Sequence, residues 1–372
     1  MHYPFMYVAR RHGPEIQAID FFSGVGIMSY GLIEEGFRVS MGLEVDPMRT
    51  KLYELNLHVR SKPIDLATAT KESIKSLVKS GNCGPVVVVG CPPCQSFSYL
   101  HQTRGIPTEF DVRTSLIRTY GELAIGMGPE IIVFENVKGI LAAGNKIYFD
   151  KYLELLGSSG FSTSWGVLDA ADFGVPQHRK RVVAISIKNY LKVEPTLPPP
   201  THSKDGSNGT KKWSTVRDAI GNLKPLKSGE ADPSDPLHFA SLHTENTLRI
   251  IRSIPKNGGS RTSLPSDLVL PCHRRLGNGK GAESVYGRMR WDEPGPTITG
   301  AAIRPSSGRF VHPDQDRGIT LREMARLQTI PDDYKFQGSK DAIASMIGDA
   351  VPLTLAKAIA RHVKFLLKEA GY

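Results

Sequence analysis

Cysteine and long apolar runs are both scarce in this sequence of 372 residues. The four cysteines are too few for a disulfide scaffold of this length, so a reducing compartment is expected. No apolar run approaches the roughly 18 residues of a membrane span, and the first residues lack the apolar core of a secretory signal. With 40% hydrophobic and 23% charged residues, the composition excludes collagen-like, coiled-coil and wholly disordered chains. We therefore expect a globular protein of two or three domains.

Acidic residues are fewer than basic ones, which favours a polyanionic partner. The chain has 47 Lys and Arg against 37 Asp and Glu, a formal net charge of +10. Residues 188–293 carry 17 of these basic residues and 11 of the acidic ones, so this quarter of the chain holds more than half of the excess positive charge. A solvated irregular surface would give the same numbers, and charge alone does not separate the two interpretations.

The first half of the sequence alternates between short apolar runs and helical patterns, which predicts a parallel sheet with helices on both faces. The predicted strands are Ile16–Phe22, Val39–Glu44, Val86–Val89, Ile131–Glu135 and Arg181–Ile187. The predicted helices are Ile27–Glu35, Pro47–Asn56, Ile74–Lys79, Leu116–Met127 and Asp150–Ser158. Ligands of such sheets bind at the carboxyl ends of the strands.

A boundary follows at residues 195–209, where Pro, Gly, Ser and Asn dominate. Beyond it, Ser241–Ile254 has a helical pattern that fits a scaffold element. Regular patterns return after Thr299, with helices predicted at Leu321–Leu327, Asp341–Met346 and Leu353–Leu367.

A glycine-bearing turn follows the first strand. Gly24 and Gly26 allow a tight turn and a close approach to a ligand, and Glu44 ends the next strand, where a carboxylate can accept both hydroxyls of a ribose. The pair suggests a nucleoside cofactor. Ser29 stands where the dinucleotide fingerprint has its third glycine, so a purely structural turn fits nearly as well.

The segment after the four valines at 86–89 places Cys91 and Cys94 at the end of a buried strand. A Cys-x-x-Cys pair is also typical of a redox dithiol or of half a zinc site. The sequence supplies no second cysteine pair for zinc, and the tail Gln95-Ser96-Phe97-Ser98 is typical of a loop rather than of the helix that usually follows a redox dithiol.

Two further polar groups flank strands of the same predicted sheet. Glu135 and Asn136 end the strand that begins at Ile131, where a simple surface turn is the alternative interpretation. Strand alternation would place Gln177, Arg179 and Arg181 on one face, where their donors would suit an anionic or carbonyl-rich ligand. A solvated strand edge is the alternative interpretation.

In their order along the chain, these motifs resemble the signature of the cytosine carbon-5 DNA methyltransferases. The resemblance continues in the Trp291–Thr299, Leu321–Gln328 and Gly348–Pro352 segments and covers roughly residues 15–190 and 285–372. It implies an α/β Rossmann-like sheet of the S-adenosylmethionine-dependent methyltransferases with a smaller inserted target-recognition domain. The implied units are a catalytic and cofactor-binding domain at 1–190, a DNA-reading domain at 191–315 and a return to the catalytic domain at 316–372.

The resemblance also implies the roles of individual residues. Cys94 would be the nucleophile that adds to carbon 6 of a cytosine rotated out of the duplex, and Cys91 would be a bystander. Glu135 would hold a proton at ring nitrogen 3, Asn136 would set the loop, and Arg179 and Arg181, supported by Gln177, would contact the 2-oxo group and a phosphate. The residues implied to bind S-adenosylmethionine are Phe22, Gly24, Gly26, Glu44, Asp65, Leu66, Pro93, Asp349 and Val351.

One position departs from the family pattern, because Asp349 stands where Asn is usual, and it adds charge beside the implied cofactor. The implied partner is double-stranded DNA, contacted by basic residues such as Arg274, Arg275 and Lys280, with no metal and no membrane. We expect a prokaryotic, cytoplasmic monomer that is either the modification half of a restriction system, with a cognate restriction endonuclease acting separately, or a solitary enzyme. A transfer-RNA cytosine methyltransferase of the same fold is the alternative, although the Cys-Phe-Thr signature of that branch is absent. A DNA-binding relative without activity would be favoured by the loss of Cys94 or Glu135, and both are present.

Overall fold

A central sheet of seven strands organises the protein in a computed structural model that describes residues 15–77, 84–93, 112–274 and 283–372. The strand order is β3-β2-β1-β4-β5-β7-β6. The strands are β1 (Gln17–Phe21), β2 (Arg38–Glu44), β3 (Ser61–Pro63), β4 (Val86–Gly90), β5 (Ile131–Val137), β6 (Phe161–Asp169) and β7 (Lys180–Lys188). The expected α/β sheet is therefore present, with the predicted strands in place.

Parallel pairing brings the carboxyl ends of four strands to one edge of the sheet. Strands β1 to β5 pair in parallel, and the last residues of β1 and β4, Phe21 and Gly90, are register partners. All five residues of β1 are buried, as expected of a strand covered on both faces. Loops that follow β1, β2, β4 and β5 therefore meet along one edge.

The sheet differs from the fully parallel expectation at one end. Strand β7 lies between β5 and β6 and runs antiparallel to both, with Glu135 opposite Val183. The connection from β6 to β7 spans residues 170–179 and contains one short turn, which is too little chain for a parallel crossover. Strand β6 was not predicted, although Phe161, Thr163, Trp165 and Val167 alternate with small or polar residues.

Helices cover both faces of the sheet. They are α1 (Ile27–Glu34), α2 (Pro47–Leu57), α3 (Lys71–Leu77), α4 (Val112–Gly126) and α5 (Lys146–Ser158) in the first half, and α11 (Leu353–Glu369) at the carboxyl end of the chain. Helices α1 and α11 bury Leu32 and Ile359 against one face together with Val87. Helices α4 and α5 bury Tyr120 and Tyr152 against the other face. The predicted helix Ile74–Lys79 overlaps α3, and its residues 78 and 79 lie outside the described residues.

A second apolar cluster is built mostly from the chain between β7 and α11. This part contains two short strands, β8 (His202–Ser203) and β9 (Lys211–Lys212). Its helices are α6 (Val216–Ile220), α7 (Glu245–Arg252), α8 (Pro271–Arg274), α9 (Leu321–Leu327) and α10 (Lys340–Asp349). Helix α7 is shorter than the predicted 241–254, and α10 is longer than the predicted 341–346. Val25 and Leu52 from the sheet region pack in the same cluster, so side chains from both parts of the chain form one core. The expected domain boundaries remain predictions.

The α10 and α11 segment is long and apolar enough by composition to cross a membrane. It is divided at residues 350–352 between the two helices, and 61% of its most apolar window is buried inside the protein. Packing against the sheet accounts for this apolar character, because Leu355, Ile359, Val363 and Leu366 of α11 all belong to the core.

Candidate active site at the carboxyl edge of the sheet

The loop after β1 makes the tight turn that its glycines predict. Phe22, Gly24 and Gly26 all have positive φ angles, of 57°, 55° and 98°. A Cβ atom at Gly26 would lie 2.7 Å from the side chains of Tyr53 and Leu57, so only glycine fits there without displacement. The loop therefore lies tightly against α2 and presents its main chain at the edge of the sheet.

A series of buried side-chain hydrogen bonds lies next to this loop. Tyr53 donates a hydrogen bond to Ser29 Oγ at 2.7 Å, and Ser29 donates to Asp20 Oδ2 at 2.6 Å. Asp20 is 1% exposed, and burial raises the pKa of its carboxyl from 3.8 to about 7, against the lowering effect of the Ser29 hydrogen bond. Ser29, which replaces the third fingerprint glycine, thus links α1 to β1 and to α2.

Glu44 at the end of β2 lies against the same loop. Its carboxylate accepts hydrogen bonds from the main-chain N–H of Gly24 at 2.9 Å and of Asp46 at 3.0 Å. Each carboxylate oxygen has a second lone pair, so this fixed group can still accept ribose hydroxyls. Beyond β3, Leu66 is buried, whereas Asp65 is exposed and accepts from the main-chain N–H of Ala67. These residues form a set that fits a nucleoside.

The segment after β4 runs beside the end of β5. Asn136 donates from Nδ2 to the carbonyl of Pro92 at 3.2 Å, and its Oδ1 accepts from the N–H of Val137. Asn136 therefore holds the two strand ends together. Pro93 is the last residue described here, and Cys94 with the loop to residue 111 lies outside the described residues. Burial, together with the nearby Glu135, raises the pKa of the Cys91 thiol well above 9.0.

Glu135 and Arg181 form a largely buried ion pair at this edge of the sheet. Arg181 Nε lies 2.9 Å from Glu135 Oε1, and the two side chains are 11% and 8% exposed. Arg181 also donates to the carbonyl of Lys180. The antiparallel β5–β7 pairing brings the two residues together, because Val137 and Arg181 are register partners. A carboxylate and a guanidinium in a closed site can hold a proton and an anionic group in fixed positions.

Gln177 and Arg179 lie before β7 begins, so the three donors do not form one strand face. Gln177 accepts from the N–H of Ile298 and donates to the Leu327 carbonyl and to Gln328. Arg179 donates to the carbonyls of Ile298, Gly348 and Ala350 at 2.7, 2.8 and 3.0 Å. These contacts place Gln177 and Arg179 among main-chain carbonyls of the second half of the chain, whereas Arg181 contacts Glu135.

The Gly348–Pro352 turn is held from two sides. Arg179 and Gln328 donate to its carbonyls from within, Gln328 at 3.1 Å to Ala350. On the solvent side of the turn, Asp349 pairs with Arg49 at 2.8 Å. Val351, two residues further on, is buried. Arg49 was not predicted from the sequence, although it lies in the helix that follows Glu44 and three residues after the helix cap Asp46.

Several basic residues of the 188–293 segment already have acidic partners. Arg217 pairs with Asp292, and Asp316 pairs with both Lys256 and the fully buried Arg288. Arg274 is exposed and donates to two main-chain carbonyls. Arg275 and Lys280 lie outside the described residues. Part of the positive charge therefore serves the internal structure of this region.

The sheet order, the glycine turn and the acidic residue at the end of β2 define a Rossmann-like methyltransferase. The model of the C-5 cytosine-specific DNA methylase family matches residues 16–364. The chain belongs to this family, and it is a DNA cytosine-5 methyltransferase enzyme of the type found in restriction-modification systems. Members of this family use S-adenosylmethionine as the methyl donor.

Relatives support the same assignment along nearly the whole chain. The type II methylase M.HgiDII of Herpetosiphon aurantiacus is 35% identical over 94% of this chain and 95% of its own length. The type II methyltransferase M1.HphI of Haemophilus parahaemolyticus is 32% identical over 93% of this chain and 86% of its own. The transfer-RNA alternative is therefore less supported.

Solved structures show the same fold. One, described as a DNA modification methyltransferase encoded within a prophage (E. coli), has a TM-score of 0.72 at 23% identity and covers 95% of this chain and 100% of that one. The S. pombe Dnmt2 methyltransferase has a TM-score of 0.55 at 15% identity and covers 96% of this chain and 100% of that one.

Proposed function

We propose that this methyltransferase acts through Cys94 on a cytosine rotated out of double-stranded DNA. Carbon 5 of cytosine is a poor nucleophile. The Cys94 thiolate would add its electron pair to carbon 6, forming a sulfur–carbon bond and moving the ring electrons toward carbon 5. After carbon 5 has taken the methyl group, loss of its proton to a bound water would restore the double bond and release the thiolate. Rotation out of the stack costs a few kcal/mol.

The observation that carries this proposal is the enclosed Glu135–Arg181 pair, with Asn136 holding the segment that leads to Cys94. Glu135 would hold a proton at ring nitrogen 3 and so neutralise the charge that thiolate addition creates. Arg181, beside it, would contact the 2-oxo group or a flanking phosphate. Gln177 and Arg179 would be positioning residues, because their hydrogen bonds go to the chain around Ile298 and Gly348.

The residues at the strand ends fit S-adenosylmethionine, which supplies the methyl group when bound. The fixed Glu44 carboxylate and the main-chain turn at Phe22, Gly24 and Gly26 support this fit. Glu44 would bind the ribose and the turn would bind the amino-acid end. Asp65, Leu66 and Pro93 would contact the adenine, and Asp349 and Val351 would close the site. No metal is part of this proposal.

We further propose that residues 191–315 read the DNA sequence, between a catalytic unit at 1–190 and its continuation at 316–372. The exposed basic residues of the middle region, including Arg274, would contact phosphates and bases. The enzyme would act as a monomer in the prokaryotic cytoplasm. A cognate restriction endonuclease would act separately on the same site.

Trapping with 5-fluorocytosine tests the Cys94 step. Fluorine at carbon 5 cannot leave as a proton does, so the adduct would persist and migrate as a protein–DNA band under denaturing conditions. Bisulfite sequencing of DNA from cells with and without the gene first gives the target sequence for the oligonucleotide. Wild type and Cys91→Ser should both form the adduct, whereas Cys94→Ser should bind the duplex and form none. An adduct with Cys94→Ser, or none with wild type under methylating conditions, would contradict the assignment.

A further inference from the structure

One ion pair connects the final turn of α10 to α2 beside the glycine loop. Arg49 Nη2 lies 2.8 Å from Asp349 Oδ2, and Ser345 Oγ donates to the same oxygen at 3.0 Å. Asp349 is the position at which the family usually has Asn. The side chains of Arg49 and Asp349 are 23% and 44% exposed. An ion pair that accessible contributes little to folding stability, so stability alone does not explain why this chain carries both charges.

The other nitrogen of the same guanidinium points to the glycine loop. A Cβ atom at Gly24 would lie 3.9 Å from Arg49 Nη1. Among the residues that the structure describes, none accepts a hydrogen bond from Nη1. The Gly24 N–H is bound to Glu44, so the loop, the ribose-binding candidate and Arg49 are direct neighbours. The guanidinium therefore has Nη2 on Asp349 and Nε 3.9 Å from Asp46 Oδ2, whereas Nη1 lies on the side of the loop.

We propose that Arg49 and Asp349 together bind the amino-acid end of the methyl donor, with Arg49 Nη1 on its carboxylate and Asp349 on its ammonium group. This inference rests on the proposed position of the cofactor. The amino-acid end is a zwitterion, and an ordered pair of opposite charges matches it group by group. Asp349 without Arg49 would repel the ligand carboxylate, which explains why the two charges occur together.

Two ligands separate this proposal from a purely structural role. S-adenosylhomocysteine carries the amino-acid end, and 5′-methylthioadenosine has the same nucleoside without it. Calorimetric titration of the full chain measures both dissociation constants without any methyl transfer. For Arg49→Gln we expect S-adenosylhomocysteine to bind at least about tenfold more weakly and methylthioadenosine to bind unchanged. Arg49→Lys should recover part of the loss, because it retains the charge.

Arg304→Gln is a matched control. Arg304 pairs with Asp341 at 2.7 Å near the start of α10, the same helix that ends at Asp349. This variant should bind both ligands as wild type does. Asp349→Asn should weaken S-adenosylhomocysteine by a smaller factor than Arg49→Gln, because an amide oxygen still accepts from an ammonium group.

The outcomes distinguish this inference from the proposed cofactor site. If wild type binds both ligands and Arg49→Gln weakens both by the same factor, the pair only holds α2 against α10 and the inference is wrong. If Arg49→Gln binds S-adenosylhomocysteine as wild type does, it is also wrong. If wild type binds neither ligand, the proposed cofactor site itself fails. Continued methylthioadenosine binding by Arg49→Gln shows that this variant is folded.

Discussion

Asp20 should make the stability of the protein fall as the pH rises through the neutral range. The carboxyl is buried beneath the glycine loop, and burial raises its pKa from 3.8 to about 7. The folded protein therefore holds a proton that the unfolded chain releases at a much lower pH. Asp20→Asn replaces the neutral acid by an amide of the same shape, whose oxygen can still accept the hydrogen bond from Ser29.

The two pKa values of Asp20, in the folded and the unfolded chain, set the sign and size of this change of stability with pH. Because the pKa in the folded state is the higher one, the stabilising contribution is complete below about pH 4 and is lost as the pH rises to 7. The slope between these limits is about 1.4 kcal/mol per pH unit. From pH 5 to pH 8, wild type should therefore lose about 2 to 3 kcal/mol of unfolding free energy relative to Asp20→Asn.

Urea unfolding of both proteins at pH 5, 6, 7 and 8 measures this difference. Asp232→Asn is a control of opposite sign, because hydrogen bonds from Ser234 lower the pKa of Asp232. Wild type should gain stability relative to that control variant as the pH rises through the acid range. If the profiles of wild type and Asp20→Asn are parallel from pH 5 to pH 8, the Asp20 carboxyl is not protonated in the folded protein and the reasoning fails.

Three further substitutions test the site. Gly26→Ala should lower the unfolding free energy by about 2 kcal/mol or more and weaken S-adenosylhomocysteine binding, because the methyl group would meet Tyr53 at 2.7 Å; urea unfolding and calorimetry measure both. Arg179→Met should cost about 3 kcal/mol in urea unfolding, because three carbonyls lose a charged donor; an unchanged midpoint would contradict this. Glu135→Gln should reduce methyl transfer by about a hundredfold or more with duplex binding retained, as tritium incorporation and gel shift would report.

Most of the sheet could be predicted because its central strands are continuous apolar runs. The last three of the four valines of β4 and the apolar start of β5 are buried, as such runs require. β3 was missed because Ser61–Pro63 is three residues long and has no apolar run. The direction of β7 was missed because direction depends on the length of the preceding connection, and recognising that required β6 to be identified first.

The candidate site was predictable to the extent that it follows strand ends. Glu44, Glu135 and Asn136 each lie at or near the end of a parallel strand, and the structure places all three at one edge. The partner of Asp349 was not predictable, because Arg49 is 300 residues away in the chain and an arginine on a helix is common. Only the packing of α10 against α2 makes the two charges neighbours.

The contacts of Gln177 and Arg179 explain why donor residues recur just before β7. Ile298 lies outside regular structure, and Leu327 and Gly348 lie at the ends of helices, so their carbonyls have no complete ladder of main-chain partners. Buried side-chain donors must replace those partners, and Gln177, Arg179 and Gln328 do so over separations of up to 171 residues. The Gly348–Pro352 turn is thereby fixed to Arg179, the residue just before β7, and β7 itself carries Arg181, which pairs with Glu135. A shift of the segment around Ile298 relative to the sheet would therefore disturb the Glu135–Arg181 pair and the Gly348–Pro352 turn together.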